Sequence, residues 1–165
     1  RLSAAAVIAG LLLTGCTGPE GGPLESIDEP GAVVCTPQEP GTGRAVIALS
    51  ELRVNGDGDV TITSVSSVDA EGLAIVGYDV GDVEDPDFRV VGDDYGAYGP
   101  PDAPPDLVLE AGASYVLKVG LAAEPSGGRA TAAAIEYHVG DSDAVQTTQT
   151  RVEMEVAAVG AVCSG

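Results

Sequence analysis

The chain has 165 residues, enough for one domain with a leader and a linker. It carries 26 acidic residues against 7 basic ones, a formal charge of -19, and an isoelectric point near 4.1. Such a surface repels phosphate backbones and so argues against a nucleic-acid partner, and 44% hydrophobic residues exclude a disordered acidic tail. With one Phe, five Tyr and no Trp, the core has to be built from Val, Ile, Leu and Ala.

In chain order, residues 2–13 (LSAAAVIAGLLL) come first, an uncharged apolar run. It is shorter than the roughly 20 residues a spanning helix needs, and it has the length of a signal peptide's apolar region. Arg1 is the one basic residue before it and no initiator Met is present, so the leader is expected to begin upstream. The run ends in Leu13-Thr14-Gly15-Cys16, which resembles the bacterial lipobox. In that family a diacylglyceryl group is attached to the Cys thiol and a peptidase cuts just before it. Leu13 fills the apolar position, and Thr14 and Gly15 are the small residues beside the cut. The resemblance implies that residues 1–15 are a helical signal peptide. It also implies a lipid on Cys16 that holds the chain to the extracytoplasmic face of the cell membrane.

Residues 17–31 (TGPEGGPLESIDEPG) are rich in Gly, Pro and acid and lack apolar periodicity. Residues 16–32 therefore read as the lipidated Cys and a flexible tether, and residues 33–165 as the folded domain. With Cys16 given to lipid, Cys35 and Cys163 remain, and an exported chain meets an oxidising compartment. The two are expected to form a disulfide, worth roughly 5 kcal/mol in the chain-entropy picture. With no CxxC and a single His, metal ligation or redox catalysis does not fit these cysteines.

From Val33 onward short β-like runs alternate with Gly, Asp, Asn and Pro. Residues 45–54 read as a strand, and Asn55-Gly56-Asp57-Gly58-Asp59 as a hairpin turn. Val60 and Ile62 then share one phase and Val65 takes the other, which signals a bulge or a bend between sheets. Ala74, Val76, Tyr78 and Val80 read as one strand face, and Phe88 with Val90 as a short strand. Tyr115, Leu117, Val119 and Leu121 point inward with Lys118 outward. Ala133, Ile135, Tyr137 and Val139 share a face opposite Glu136 and His138, and Val152, Met154 and Val156 alternate with Arg151, Glu153 and Glu155. No stretch sustains a 3.6-residue period, and there is no internal repeat.

Seven or eight short strands at this spacing predict an all-β protein, an antiparallel β-sandwich. The region from about Ala45 to Val159 resembles small immunoglobulin-like domains in lipoproteins of high-GC Gram-positive bacteria. The resemblance is carried by residues 55–68 (NGDGDVTITSVSSV) and 107–119 (LVLEAGASYVLKV), the latter a strand, a tight turn and a return strand. It implies an immunoglobulin-like sandwich and no defined activity.

Residues 81–106 stand out as a candidate recognition loop. Asp82, Glu84, Asp85, Asp87, Asp93, Asp94, Asp102 and Asp106 crowd it, with Arg89 as its one basic residue and Tyr95 and Tyr98 as contact residues. Its carboxylates would meet a basic partner or a divalent ion, and the simpler reading is a solvated insertion. Residues 55–59 fail as a calcium loop, because Val60 replaces the sixth-position Gly and Ser66 the twelfth-position Glu. His138 is expected on an exposed face. With one His, one Lys and no GxSxG, no catalytic residue can be assigned and the chain does not read as an enzyme. A hydrolase built on carboxylates is the lower-ranked alternative. Met154 and His138 are the one Met and the one His that could serve a soft-metal site of the Met/His kind, and Met154 points into the core, so neither a metal site nor a cofactor is expected. The function that follows is a non-catalytic, lipid-anchored protein meeting an envelope protein partner. The alternative is a small-ligand or cation-binding module using residues 81–106.

Overall fold

The computed structural model describes residues 22–39, 41–84 and 107–163. The apolar leader, Cys16 and the Phe88–Val90 segment lie outside the described residues. Among those described the chain forms strands and no helix, and no helix is long and apolar enough to cross a membrane. The strands are β1 (Leu24–Ser26), β2 (Ala32–Thr36), β3 (Arg44–Val54), β4 (Val60–Val68), β5 (Leu73–Asp82) and β6 (Val108–Leu109). They continue with β7 (Ser114–Ala123), β8 (Gly128–Ala130), β9 (Ala132–Val139), β10 (Gln146–Gln149) and β11 (Val152–Val156).

One sheet has the order β1-β3-β7-β5 and a second the order β10-β9-β4-β6, with a smaller sheet β2-β11-β8 beside them. Pairing is antiparallel except between β2 and β11, which run parallel. The fully antiparallel sandwich expected from strand spacing is corrected at that one ladder, a non-local pairing that alternation cannot reveal. The smaller sheet continues the second. Only Thr131 separates β8 from β9, and only Thr150 and Arg151 separate β10 from β11. Between the pairs Gln149↔Ala134 and Met154↔Ala130 the register shifts by one residue. Thr150 bridges the shift, since its hydroxyl accepts a hydrogen bond from the Ala133 N–H at 2.9 Å.

Among the described residues, an apolar cluster lies between the sheets, fed by Leu24, Ile47, Leu52, Val60, Ile62, Val65, Leu117, Val119, Leu121, Ile135, Tyr137 and Met154. The phase slip at Val60–Val65 is a β-bulge between Ile62 and Ser64, so Val60, Ile62 and Val65 all face the core at 0% exposure. A second bulge, between Ile75 and Gly77, corrects the reading of β5. Leu73 and Ile75 point inward before it and Tyr78 and Val80 after it, leaving Ala74 exposed. A third lies between Ala48 and Ser50.

Three other expectations change. Lys118 lies on the face of β7 away from the core, as alternation requires, but that face is covered, with Val116 at 7% exposure and Lys118 at 6%. The stretch read as a tether to residue 32 contains β1, which pairs with β3 and buries Leu24 to 1% exposure. Three residues with one large apolar side chain are too short for periodicity to register. Residues 55–59 join strands of different sheets, and so do residues 110–113, so both are arches across the sandwich where hairpins were expected.

Candidate functional site

The two arches are tied to each other. Asp59 Oδ1 accepts a hydrogen bond from the Ala111 N–H at 3.0 Å, and the Val54 backbone pairs with Gly112 and Ala113 at 3.0 Å. Asn55 Nδ2 donates to the Gly22 carbonyl at 3.1 Å and to Glu25 Oε2 at 3.2 Å. Asn55 and Asp59, two of the polar residues that superficially suggest a calcium loop, are thus engaged in holding one end of the sandwich.

Of the residues proposed for a recognition loop, Asp82 and Glu84 are described. Both are exposed at the end of β5, with the Glu84 N–H donating to Asp82 Oδ1 at 2.8 Å. Asp85, Asp87, Asp93, Asp94, Tyr95 and Tyr98 lie outside the described residues. The expected disulfide is present. Cys35 and Cys163 are joined with a Cα–Cα distance of 5.7 Å, linking β2 to the segment that follows β11. His138 is half-buried rather than fully exposed, and its Nδ1 is buried without a hydrogen-bond partner among the described residues.

One concavity among the described residues was not anticipated. It is an open groove of about 480 Å³ between the start of β5, the turn joining β7 to β8, and the end of β11. Glu71, Glu124 and Glu155 line it with Arg129, Ser126 and the backbone of Gly127 and Gly128. Glu71 Oε2 takes hydrogen bonds from Arg129 Nε at 3.0 Å and Nη2 at 2.8 Å. Both side chains are more than 70% exposed, so the pair contributes less than about 1 kcal/mol. The two glycines allow the walls to close. A Cβ on Gly128 would stand 2.2 Å from the Gly72 carbonyl oxygen, and one on Gly127 would stand 2.6 Å from that of Val156.

A smaller groove of about 290 Å³ is lined by Asp28, Ser50, Glu51, Ala48, Leu49 and Val116 beside the bulge of β3. Here the Asp28 carboxylate accepts from the hydroxyls of Ser50 and Ser26 and from the Glu51 N–H. Asp28 thereby clamps the chain after β1 to the bulge. The described residues contain no group of His, Cys, Asp or Glu that could hold a metal ion. Among the described residues, neither groove has a histidine or lysine in its lining.

No protein-family model matches the chain, and no curated protein matches it. Among solved structures it is similar to a family 123 glycoside hydrolase from Clostridium perfringens, an enzyme of glycolipid glycan hydrolysis. That similarity has a TM-score of 0.32 at 10% identity, covering 78% of this chain and 23% of the other. The chain thus spans about a quarter of that enzyme's length.

Proposed function

We propose that the chain is a lipid-anchored extracytoplasmic protein whose immunoglobulin-like domain is a non-catalytic interaction module for an envelope protein partner. The observation that carries this is the disulfide between Cys35 and Cys163. Disulfides persist in oxidising compartments, and this one accounts for every cysteine except Cys16, which ends the apolar leader in a lipobox-like sequence. The immunoglobulin-like reading is supported by strand order. The order β1-β3-β7-β5 corresponds to strands A-B-E-D of that fold, and β10-β9-β4 to G-F-C. The first strand also divides, β1 pairing in one sheet and β2 pairing with β11 beside the other. The departure is β6, which joins β4 from the connection after β5. A charge of -19 favours a partner with a basic surface.

The test uses the full chain and Cys16→Ser in a bacterium that processes lipoproteins, with fatty-acid labelling, membrane fractionation and crosslinking on intact cells. The wild type should take up label and sediment with membranes, and Cys16→Ser should do neither. Unlabelled, soluble wild type would overturn the anchoring. Crosslinking that recovers no specific protein would overturn the interaction role.

A further inference from the structure

Strand β2 is held differently from the rest of the fold. No residue of β2 is fully buried, Val33 is 56% exposed, and Val34 is its one side chain packed against the core. Its strand pairing is a five-residue parallel ladder to β11, running from Ala32↔Val152 to Thr36↔Val156. The flanking residues are held by hydrogen bonds from the Gly31 N–H to the Arg151 carbonyl at 3.1 Å and from Gln38 Nε2 to the Glu124 carbonyl at 2.6 Å. The segment after β11 is equally bare. Ala157 is buried there, but Val159 is 55% and Val162 87% exposed. Among the described residues, two backbone bonds fasten that segment to the rest of the fold, from the Ala157 N–H to the Thr36 carbonyl at 3.0 Å and from the Val159 N–H to the Pro125 carbonyl at 3.1 Å. By contrast, β3, β4, β7 and β9 place Leu52, Val60, Ile62, Leu117, Val119, Leu121 and Ile135 at 0% exposure. Elements with few buried apolar contacts open at lower free energy than the core they border.

We infer that the disulfide between Cys35 and Cys163 is a redox latch: oxidised, it clips β2 and residues 157–163 to the edge of β11, and reduced, it releases both while the sandwich stays folded. Release has two consequences. It bares the backbone edge of β11, where another strand can pair. It also frees Ala157 and Ala158, which form part of the wall of the 480 Å³ groove, so the shape of that groove follows the state of the disulfide.

The reductant is a dithiol, either a small molecule or the paired cysteines of a thiol–disulfide oxidoreductase. Its first thiolate attacks one sulfur, breaking the Cys35–Cys163 bond and forming a mixed disulfide. Its second thiolate then displaces the remaining cysteine. The dithiol leaves as a disulfide, and its two protons end on the thiols of Cys35 and Cys163.

Hydrogen exchange read by mass spectrometry on the full chain, with and without dithiothreitol under native conditions, tests this. Amides of residues 32–36 and 157–163 should exchange faster by about tenfold or more on reduction, while β3, β4, β7 and β9 keep their protection. The double variant Cys35→Ser/Cys163→Ser should give the same pattern without reductant. Unchanged exchange at residues 32–36 in the double variant would overturn the proposal. So would faster exchange spread evenly over all strands, which would make the disulfide a brace for the whole domain.

Discussion

Tyr78 is fully inside the core at 1% exposure, and its hydroxyl has no hydrogen-bond partner among the described residues. A buried, unpaired hydroxyl is costly, whereas its removal leaves the ring's packing intact. Tyr78→Phe should therefore leave stability unchanged or raise it by up to about 1 kcal/mol in urea unfolding. A loss of about 1 kcal/mol or more would show that the hydroxyl is paired in solution. Burial also pushes the phenols of Tyr78 and Tyr137 above their ordinary value of 10.0, the latter against an opposing hydrogen bond with the Leu24 backbone. The neutral phenol is the form the folded protein prefers, so this contribution is complete below pH 10 and is lost as pH rises through the raised values. Unfolding free energy should accordingly fall above about pH 10, and less steeply in Tyr78→Phe. An equal alkaline slope in both proteins would contradict this.

The elements were largely legible where alternation is clean. β11, with Val152, Met154 and Val156 buried between exposed glutamates, and β9, with Ala133, Ile135 and Tyr137 buried, follow the period-two pattern. The bulge in β4 was legible because Val60, Ile62 and Val65 cannot share a face without one. The bulge in β5 was hidden, because Ala74, Val76, Tyr78 and Val80 make a plausible alternating face although the backbone skips a residue before Gly77. Arch and hairpin were indistinguishable for a different reason. Both need the same turn residues, and only the partner strand tells which sheet follows. The arches yield two predictions. Asp59→Ala removes the acceptor for the Ala111 N–H and should cost roughly 0.5–1.5 kcal/mol, equally with and without calcium in thermal melts. A cost that appears only with calcium would restore the cation-loop reading. Gly128→Ala drives a Cβ into the Gly72 carbonyl and should cost roughly 1–3 kcal/mol in chemical denaturation, since backbone must move on both sides.

At the scale of the molecule, sandwich class and disulfide pairing were legible, and the grooves were not. Glu71, the Glu124–Arg129 turn and Glu155 come from three separate parts of the chain, and each taken alone reads as ordinary solvated surface. Of the proposed recognition loop, residues 81–84, with Asp82 and Glu84, fall among the described residues. Residues Cys35 and Cys163 lie 128 positions apart, so their bond shortens the unfolded chain's freedom over most of its length. Removing it should cost roughly 2–5 kcal/mol in denaturant unfolding. That loss need not abolish the fold if β2 opens apart from the core.

The proposed function divides three cysteines, one for lipid and two for each other. Mass spectrometry of the intact protein purified from the cells that make it, followed by proteolysis without reductant, reads that division directly. It should give an N-terminus at Cys16 carrying a diacylglyceryl group, and a cross-linked peptide pair joining Cys35 to Cys163. An unmodified Cys16, or Cys16 linked to either of the others, would contradict it.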